Sequence, residues 1–222
     1  MNKLKLLKKE FVTHDVMRFV FEKPRELIFE PGQATELALE DSEEWRPFTF
    51  VSSPNDSVLE FLIKIYSGHD GVTKKFAELE PGDFVKQKDI FGSIKYKGPG
   101  IFIAGGAGIT PFIPILKELS GNNEENKKNR LIFSNKESGD IIMEKELRGL
   151  LPKEDLILTL TRGNISEGDY VSGRVDDEFL KKYVKDFNQN FYVCGPPRFV
   201  KEIRKILEGN GVSPENIIFE GN

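Results

Sequence analysis

Three short stretches hold residues suited to binding chemistry. The first is Ala104-Gly105-Gly106-Ala107-Gly108-Ile109-Thr110-Pro111. Glycines at such a turn let the backbone approach a pyrophosphate closely. A helix beginning just beyond would add free N–H groups and the positive end of its dipole. It is not a strict G-x-G-x-x-G, and taken alone it is also compatible with a plain strand–helix turn. The second stretch is Cys194-Gly195-Pro196-Pro197. In isolation Cys194 reads as a small buried hydrophobe. The third is Arg46-Pro47-Phe48-Thr49-Phe50-Val51-Ser52-Ser53-Pro54. Arg46 suits a phosphate and Phe48 suits an aromatic ring, although an ordinary strand with a surface Arg and a core Phe has the same letters.

The elements that must position these residues fall into two halves. Up to about Tyr96 the apolar spacing is mostly period two. The runs are Leu4 to Val12, Val16 to Phe21, Ala34 to Leu39, Phe48 to Ser52, Val58 to Tyr66, Asp83 to Lys88 and Ser93 to Tyr96. Short strands at this spacing predict an antiparallel barrel or sandwich, interrupted by one helix from Gly71 to Leu79. Beyond Gly98-Pro99-Gly100 the pattern alternates. Strands are expected at Ile101–Ala104, Leu131–Phe133, Leu156–Thr161, Phe191–Val193 and Ile217–Phe219. Helices are expected at Thr110–Leu119, Ile142–Leu150, Asp176–Val184 and Pro197–Leu207, the first with Thr110 as N-cap and Pro111 at its first position. That order predicts a doubly wound parallel sheet. The glycine turn and Cys194 then both follow strands at the carboxyl edge, where ligands of such sheets bind. The expected domains are 1–97 and 98–222.

Composition removes several classes. Of 222 residues, 32 are Lys or Arg and 36 are Asp or Glu, so bulk charge does not favour nucleic acid. One cysteine excludes an internal disulfide, a Cys-based zinc site and a cysteine-ligated cluster within the chain. Two histidines supply a metal centre poorly, and none is expected. No apolar run approaches membrane-spanning length, and the N-terminus lacks a signal-peptide core. The expectation is a cytoplasmic monomer. The 18 Phe against 5 Tyr and one Trp stand out.

Taken together, the motifs resemble those of the ferredoxin–NADP reductase-like flavoproteins, including cytochrome b5 reductases and oxygenase reductases. The resemblance covers essentially the whole chain. Arg46-Pro47-Phe48-Thr49 resembles the family's Arg-x-Tyr-Ser/Thr flavin signature, and Gly71-Val72-Thr73 its Gly-x-x-Ser/Thr phosphate turn. Gly105 to Pro111 resembles the nucleotide turn, Cys194-Gly195-Pro196-Pro197 the Cys-Gly-Pro-Pro motif, and Phe133-Ser134-Asn135-Lys136-Glu137 a further reductase stretch.

The resemblance implies an antiparallel β-barrel FAD-binding domain followed by an α/β NAD(P)-binding domain. It implies that Arg46 neutralises the flavin pyrophosphate and that Phe48, with Pro47 beside it, lies against the flavin ring in place of the usual Tyr. Thr49 would donate to flavin N5. Lys64, Ile65 and Tyr66 would follow the dinucleotide, and Gly71, Val72 and Thr73 would bind phosphate. Gly106, Gly108, Thr110, Pro111, Gly195 and Pro196 would line the nucleotide, with Cys194 beside the nicotinamide as a positioning group. Glu220 matches the family's terminal acid, while Asn222 replaces a terminal aromatic. His69 reads as a surface loop residue.

Thr161, Arg162 and Arg174 suit a 2′-phosphate, which favours NADPH over NADH. The implied activity is hydride transfer from NAD(P)H to FAD, then single electrons to a ferredoxin- or flavodoxin-type carrier, perhaps one serving a monooxygenase. The rivals are a flavin or ferric reductase acting on small acceptors, a flavin-free binding module of the same fold, and FMN in place of FAD.

Overall fold

The computed structural model describes residues 1–66, 68, 71–92, 94–121, 128–162 and 169–220. Two compact units emerge. One comprises Met1–Gly92 with Thr110–Ile115, and the other comprises the remainder.

The first unit holds β1 (Asn2–Phe11), β2 (Val16–Glu22), β3 (Ala34–Leu39), β4 (Arg46–Thr49), β5 (Val58–Lys64), α1 (Val72–Glu78) and β6 (Phe84–Phe91). The strands form one antiparallel sheet in the order β4-β3-β6-β1-β2-β5. The outer strands β4 and β5 meet. Val51 N–H donates to the Glu60 carbonyl at 2.9 Å, and Glu60 N–H donates to Ser52 Oγ at 3.1 Å. The sheet thereby curls into the expected barrel.

Period-two spacing explains the inside. Along β2, Phe19 and Phe21 point inward while Arg18 and Val20 are half-buried. Phe19, Phe21, Phe29, Phe50, Phe61 and Phe76 form the aromatic centre of the core, with ring centroids 4.2 to 6.3 Å apart. This accounts for a third of the 18 phenylalanines. A phenol at these positions would need a buried partner, whereas Phe needs none.

The second unit has six parallel strands: β7 (Gly100–Gly105), β8 (Arg130–Asn135), β9 (Leu156–Leu160), β10 (Tyr170–Ser172), β11 (Asn190–Cys194) and β12 (Ile217–Phe219). Their order is β10-β9-β8-β7-β11-β12. Helices α3 (Glu144–Leu150), α4 (Asp177–Tyr183) and α5 (Pro197–Gly209) lie between them in sequence, and α2 (Phe112–Ser120) follows β7. Ile101, Ile103, Ile132, Phe191 and Val193 share one core with Phe179 and Leu180 of α4 and Ile203 and Leu207 of α5. Asp176 caps α4, its carboxylate accepting from Phe179 N–H at 2.9 Å.

Three local expectations change. Ile94–Tyr96 form no strand. Instead, Lys97 N–H donates to the Tyr192 hydroxyl at 2.9 Å, and that hydroxyl donates to the Gly98 carbonyl at 2.7 Å. This pins the segment to the second unit. Helix α2 starts at Phe112 rather than Thr110, because a 3₁₀ turn, Gly106–Ile109, comes first. The three-residue edge strand β10 was not expected from the pattern.

Candidate functional site: a phosphate-type turn and a sheet switch point

In the first unit, β4 carries Arg46, Pro47, Phe48 and Thr49. Arg46 and Pro47 are exposed, while Phe48 and Thr49 are half-buried. The Arg46 guanidinium donates to the Trp45 carbonyl at 2.9 Å and makes no ion pair among the described residues. Phe48 is anchored on one side by Phe76, 5.4 Å away between centroids and tilted by 58°. No side-chain hydrogen bond from Thr49 to another described residue is present.

Gly71 precedes α1 at φ −98°, and no side chain caps the helix. A Cβ built on Gly71 would meet nothing within 4 Å. Val72 is buried and anchors the helix in the barrel core. Thr73 Oγ1 accepts from Tyr66 N–H at 3.5 Å, which ties the turn to the end of β5.

Lys64 departs from a free ligand-binding cation, because its ammonium lies 2.5 Å from Asp15 Oδ2. Partial burial pushes the Asp15 pKa up, but Lys64 outweighs that and holds the carboxyl below its ordinary value. Ile65 N–H donates to the Asp15 carbonyl at 2.7 Å, and its side chain packs on the core. Tyr66 is exposed.

In the second unit the chain winds outward from β7 through β8 and β9 to β10, then returns to β11 on the other side of β7. The switch point therefore lies between β7 and β11. Binding crevices of open α/β sheets form there, outside the carboxyl ends. The sequence places a glycine turn at both ends. Cys194 pairs in register with Ala104, so Gly195 stands beside Gly105. A Cβ on Gly108 would fall 2.4 Å from both the Cys194 carbonyl oxygen and the Gly195 nitrogen. One on Gly195, whose φ is +155°, would lie 2.8 Å from the Phe199 ring. One on Gly105 would lie 3.1 Å from the same ring. Close approach thus requires glycine at Gly108, and positive φ with the ring contact favours it at Gly195, while at Gly105 a Cβ would press the Phe199 ring more lightly. Gly106 differs: its φ is +53°, and a Cβ would meet nothing within 4 Å.

Cys194 is buried. Burial, with the Glu220 charge adding to it, pushes its thiol up to about 12, so it remains a neutral thiol rather than a nucleophile. Glu220 is exposed as a residue, yet desolvation of its carboxyl raises its pKa. Pro196 is exposed and precedes α5, with Pro197 in the first turn.

At the end of β9, Thr161 and Arg162 are exposed. Thr161 Oγ1 donates to the Asn135 carbonyl at 3.3 Å. Arg162 makes no ion pair among the described residues, whereas the Arg174 charge acts on Glu202. Thr110 is half-buried and Pro111 buried, and both group with the first unit. His69 and Asn222 lie outside the described residues.

Sequence reasoning missed Asp15 and Phe199. An acid just ahead of a strand gives no signal of a lysine far along the chain. Phe199, four residues after Gly195, is the kind of apolar residue that a first helical turn folds back onto its own entry.

The comparisons agree with this architecture. Residues 3–96 match the oxidoreductase FAD-binding domain family, and residues 102–205 match the oxidoreductase NAD-binding domain family. The chain belongs to the ferredoxin–NADP reductase-like flavoproteins and is an NAD(P)H-dependent flavoprotein reductase. It is 29% identical to NADH–cytochrome b5 reductase 1 of Arabidopsis thaliana over 228 residues, covering 95% of this chain and 80% of that protein. It is 26% identical to the ferredoxin–NAD(P)+ reductase component of the naphthalene 1,2-dioxygenase system of Pseudomonas putida, covering 94% of this chain and 65% of that one. Among solved structures, the CS-b5R domains of human Ncb5or superpose with a TM-score of 0.87 at 29% identity, over 99% of this chain and 69% of that one. A ferredoxin–NADP+ reductase from Neisseria gonorrhoeae shares the fold at a TM-score of 0.85 and 21% identity, over 99% of this chain and 97% of that one. No helix among the described residues is long and apolar enough to cross a membrane.

Proposed function

We propose that this protein moves a hydride from NADPH to a bound FAD and passes single electrons to a separate carrier of ferredoxin or flavodoxin type. The observation that supports it most is the pair of glycine turns flanking the switch point between β7 and β11. Domains 1–97 and 98–222 would hold flavin and nicotinamide respectively.

The residues present fit FAD. Arg46 is a guanidinium with no described carboxylate partner, suited to a pyrophosphate. Gly71 leaves open space beside uncapped N–H groups. Phe48 is held by Phe76 and offers an apolar surface to a planar ring. The Thr49 hydroxyl is available to donate to a ring nitrogen. Bound FAD supplies the acceptance of two electrons and their release one at a time.

The chain's own work is placement. Hydride transfer needs the donor carbon about 3–3.5 Å from the acceptor with rings aligned. Cys194, buried and neutral, suits packing beside a nicotinamide without reacting with it. Arg162 supplies an unpaired guanidinium for a 2′-phosphate, the Thr161 hydroxyl would turn from the Asn135 carbonyl to donate to it, and neither position is an acid. This supports NADPH, although the Arabidopsis relative is named for NADH. Arg174 contributes less, since it faces Glu202.

The test is to release the cofactor and weigh it, then compare kcat/KM for NADPH and NADH. FAD and an NADPH preference are expected, with electrons reaching ferredoxin or flavodoxin. Turnover of free flavin or chelated iron alone would point to a small-acceptor reductase, and a colourless protein to a binding module.

A further inference from the structure

Asn135 is the last residue of β8 and is 5% exposed. Neither its side-chain Nδ2 nor its Oδ1 has a hydrogen-bond partner among the described residues. A buried carboxamide with both ends unpaired is rare, because each unmade bond costs free energy. The Asn135 backbone is well held: its carbonyl accepts from Thr161 N–H at 3.0 Å and from Thr161 Oγ1 at 3.3 Å. On the other side, Ser134 pairs with Gly105, and β8 packs against the Gly106–Ile109 turn. That turn is a single 3₁₀ segment, and Gly106 within it has open space around its Cβ position.

We infer that Asn135 is a positioning residue for the pyridine nucleotide. Its carboxamide has no partner among the described residues and gains partners from the Gly106–Ile109 backbone when a nucleotide phosphate seats on that turn. The nucleotide thereby releases a penalty built into β8, and part of its affinity comes from that release. Because both amide atoms are buried, Asn135 acts through the turn rather than by touching the nucleotide. The inference rests on the nucleotide-binding reading above.

The test uses the FAD-loaded full chain with Asn135→Leu, an apolar side chain of similar size. Tm is read without nucleotide and with saturating NADP+ or NAD+, and Kd is read from the flavin difference spectrum. The expected pattern is a nucleotide-free Tm at or above wild type, a smaller nucleotide-dependent rise in Tm, and Kd weakened about tenfold. A lowered nucleotide-free Tm or an unchanged Kd overturns the inference, leaving a plain structural Asn. Should Asn135→Leu fail to fold, the side-chain amide signal of Asn135 in wild-type ¹⁵N spectra decides. Slowed exchange of its protons on adding NADP+ or NAD+ supports the inference, and no change overturns it. If wild type itself shows no Tm rise with either nucleotide, the nucleotide reading has failed, independently of Asn135.

Discussion

Two regions of this molecule carry glycine at their turns for different reasons. At Gly108 and Gly195 the protein itself leaves no room, since an added Cβ would press into the Cys194–Gly195 backbone or the Phe199 ring. At Gly71 the backbone runs at φ −98°, which any residue adopts, and a Cβ would meet nothing within 4 Å. Neither packing nor conformation calls for glycine there. The difference teaches where to look for each requirement. A glycine demanded by the fold shows itself in stability, and a glycine kept for a ligand shows itself only in binding.

The largest expected effect is Gly108→Ala. Its new methyl would meet rigid backbone at 2.4 Å, so a loss of about 3 kcal/mol, the upper end for overpacking, is expected in denaturant titration. An unchanged midpoint would break the comparison on the packing side. Next comes Arg46→Ala. The fold should hold, while FAD binding weakens about 10- to 100-fold with loss of one charge-assisted contact, read from flavin fluorescence on release. Gly71→Ala should leave cofactor-free stability within about 0.5 kcal/mol. It should still weaken FAD about tenfold by filling the space a phosphate needs. Equal FAD affinity in that variant would remove the ligand side of the contrast.

Smaller effects concern the carboxyl edge. With the thiol of Cys194 pushed up to about 12, its alkylation rate should still be climbing at pH 10, with no plateau. A plateau near pH 8 would place a thiolate in the crevice. Glu220 has its folded pKa raised by burial. Stability linked to its protonated form is present below the unfolded carboxylate range and is lost as pH rises through the folded value. Glu220→Gln should therefore gain Tm relative to wild type as pH rises above the ordinary carboxylate range, while keeping FAD and slowing flavin reduction. Full activity would show that Glu220 takes no part in flavin reduction.

Much of the fold was legible in the sequence because periodicity reports burial directly. Phe19 and Phe21 alternate with half-buried neighbours, and the β7-to-β12 half alternates strands with helices. The two glycine stretches at the carboxyl edge were legible because Gly108 and Gly195 are needed where two strand ends come together. What stayed hidden depends on contacts distant in sequence. Nothing near Lys64 announces Asp15, and nothing in Tyr170–Ser172 distinguishes a three-residue edge strand from a loop. The late start of α2 arises from the 3₁₀ turn, which shares its residue preferences with a helix start.

The most direct test of the central claim is anaerobic mixing of the FAD-loaded protein with NADPH, followed at the flavin absorbance. The account predicts saturable bleaching that slows when the transferred hydrogen of NADPH is deuterium. Retained flavin that neither NADPH nor NADH bleaches would contradict it.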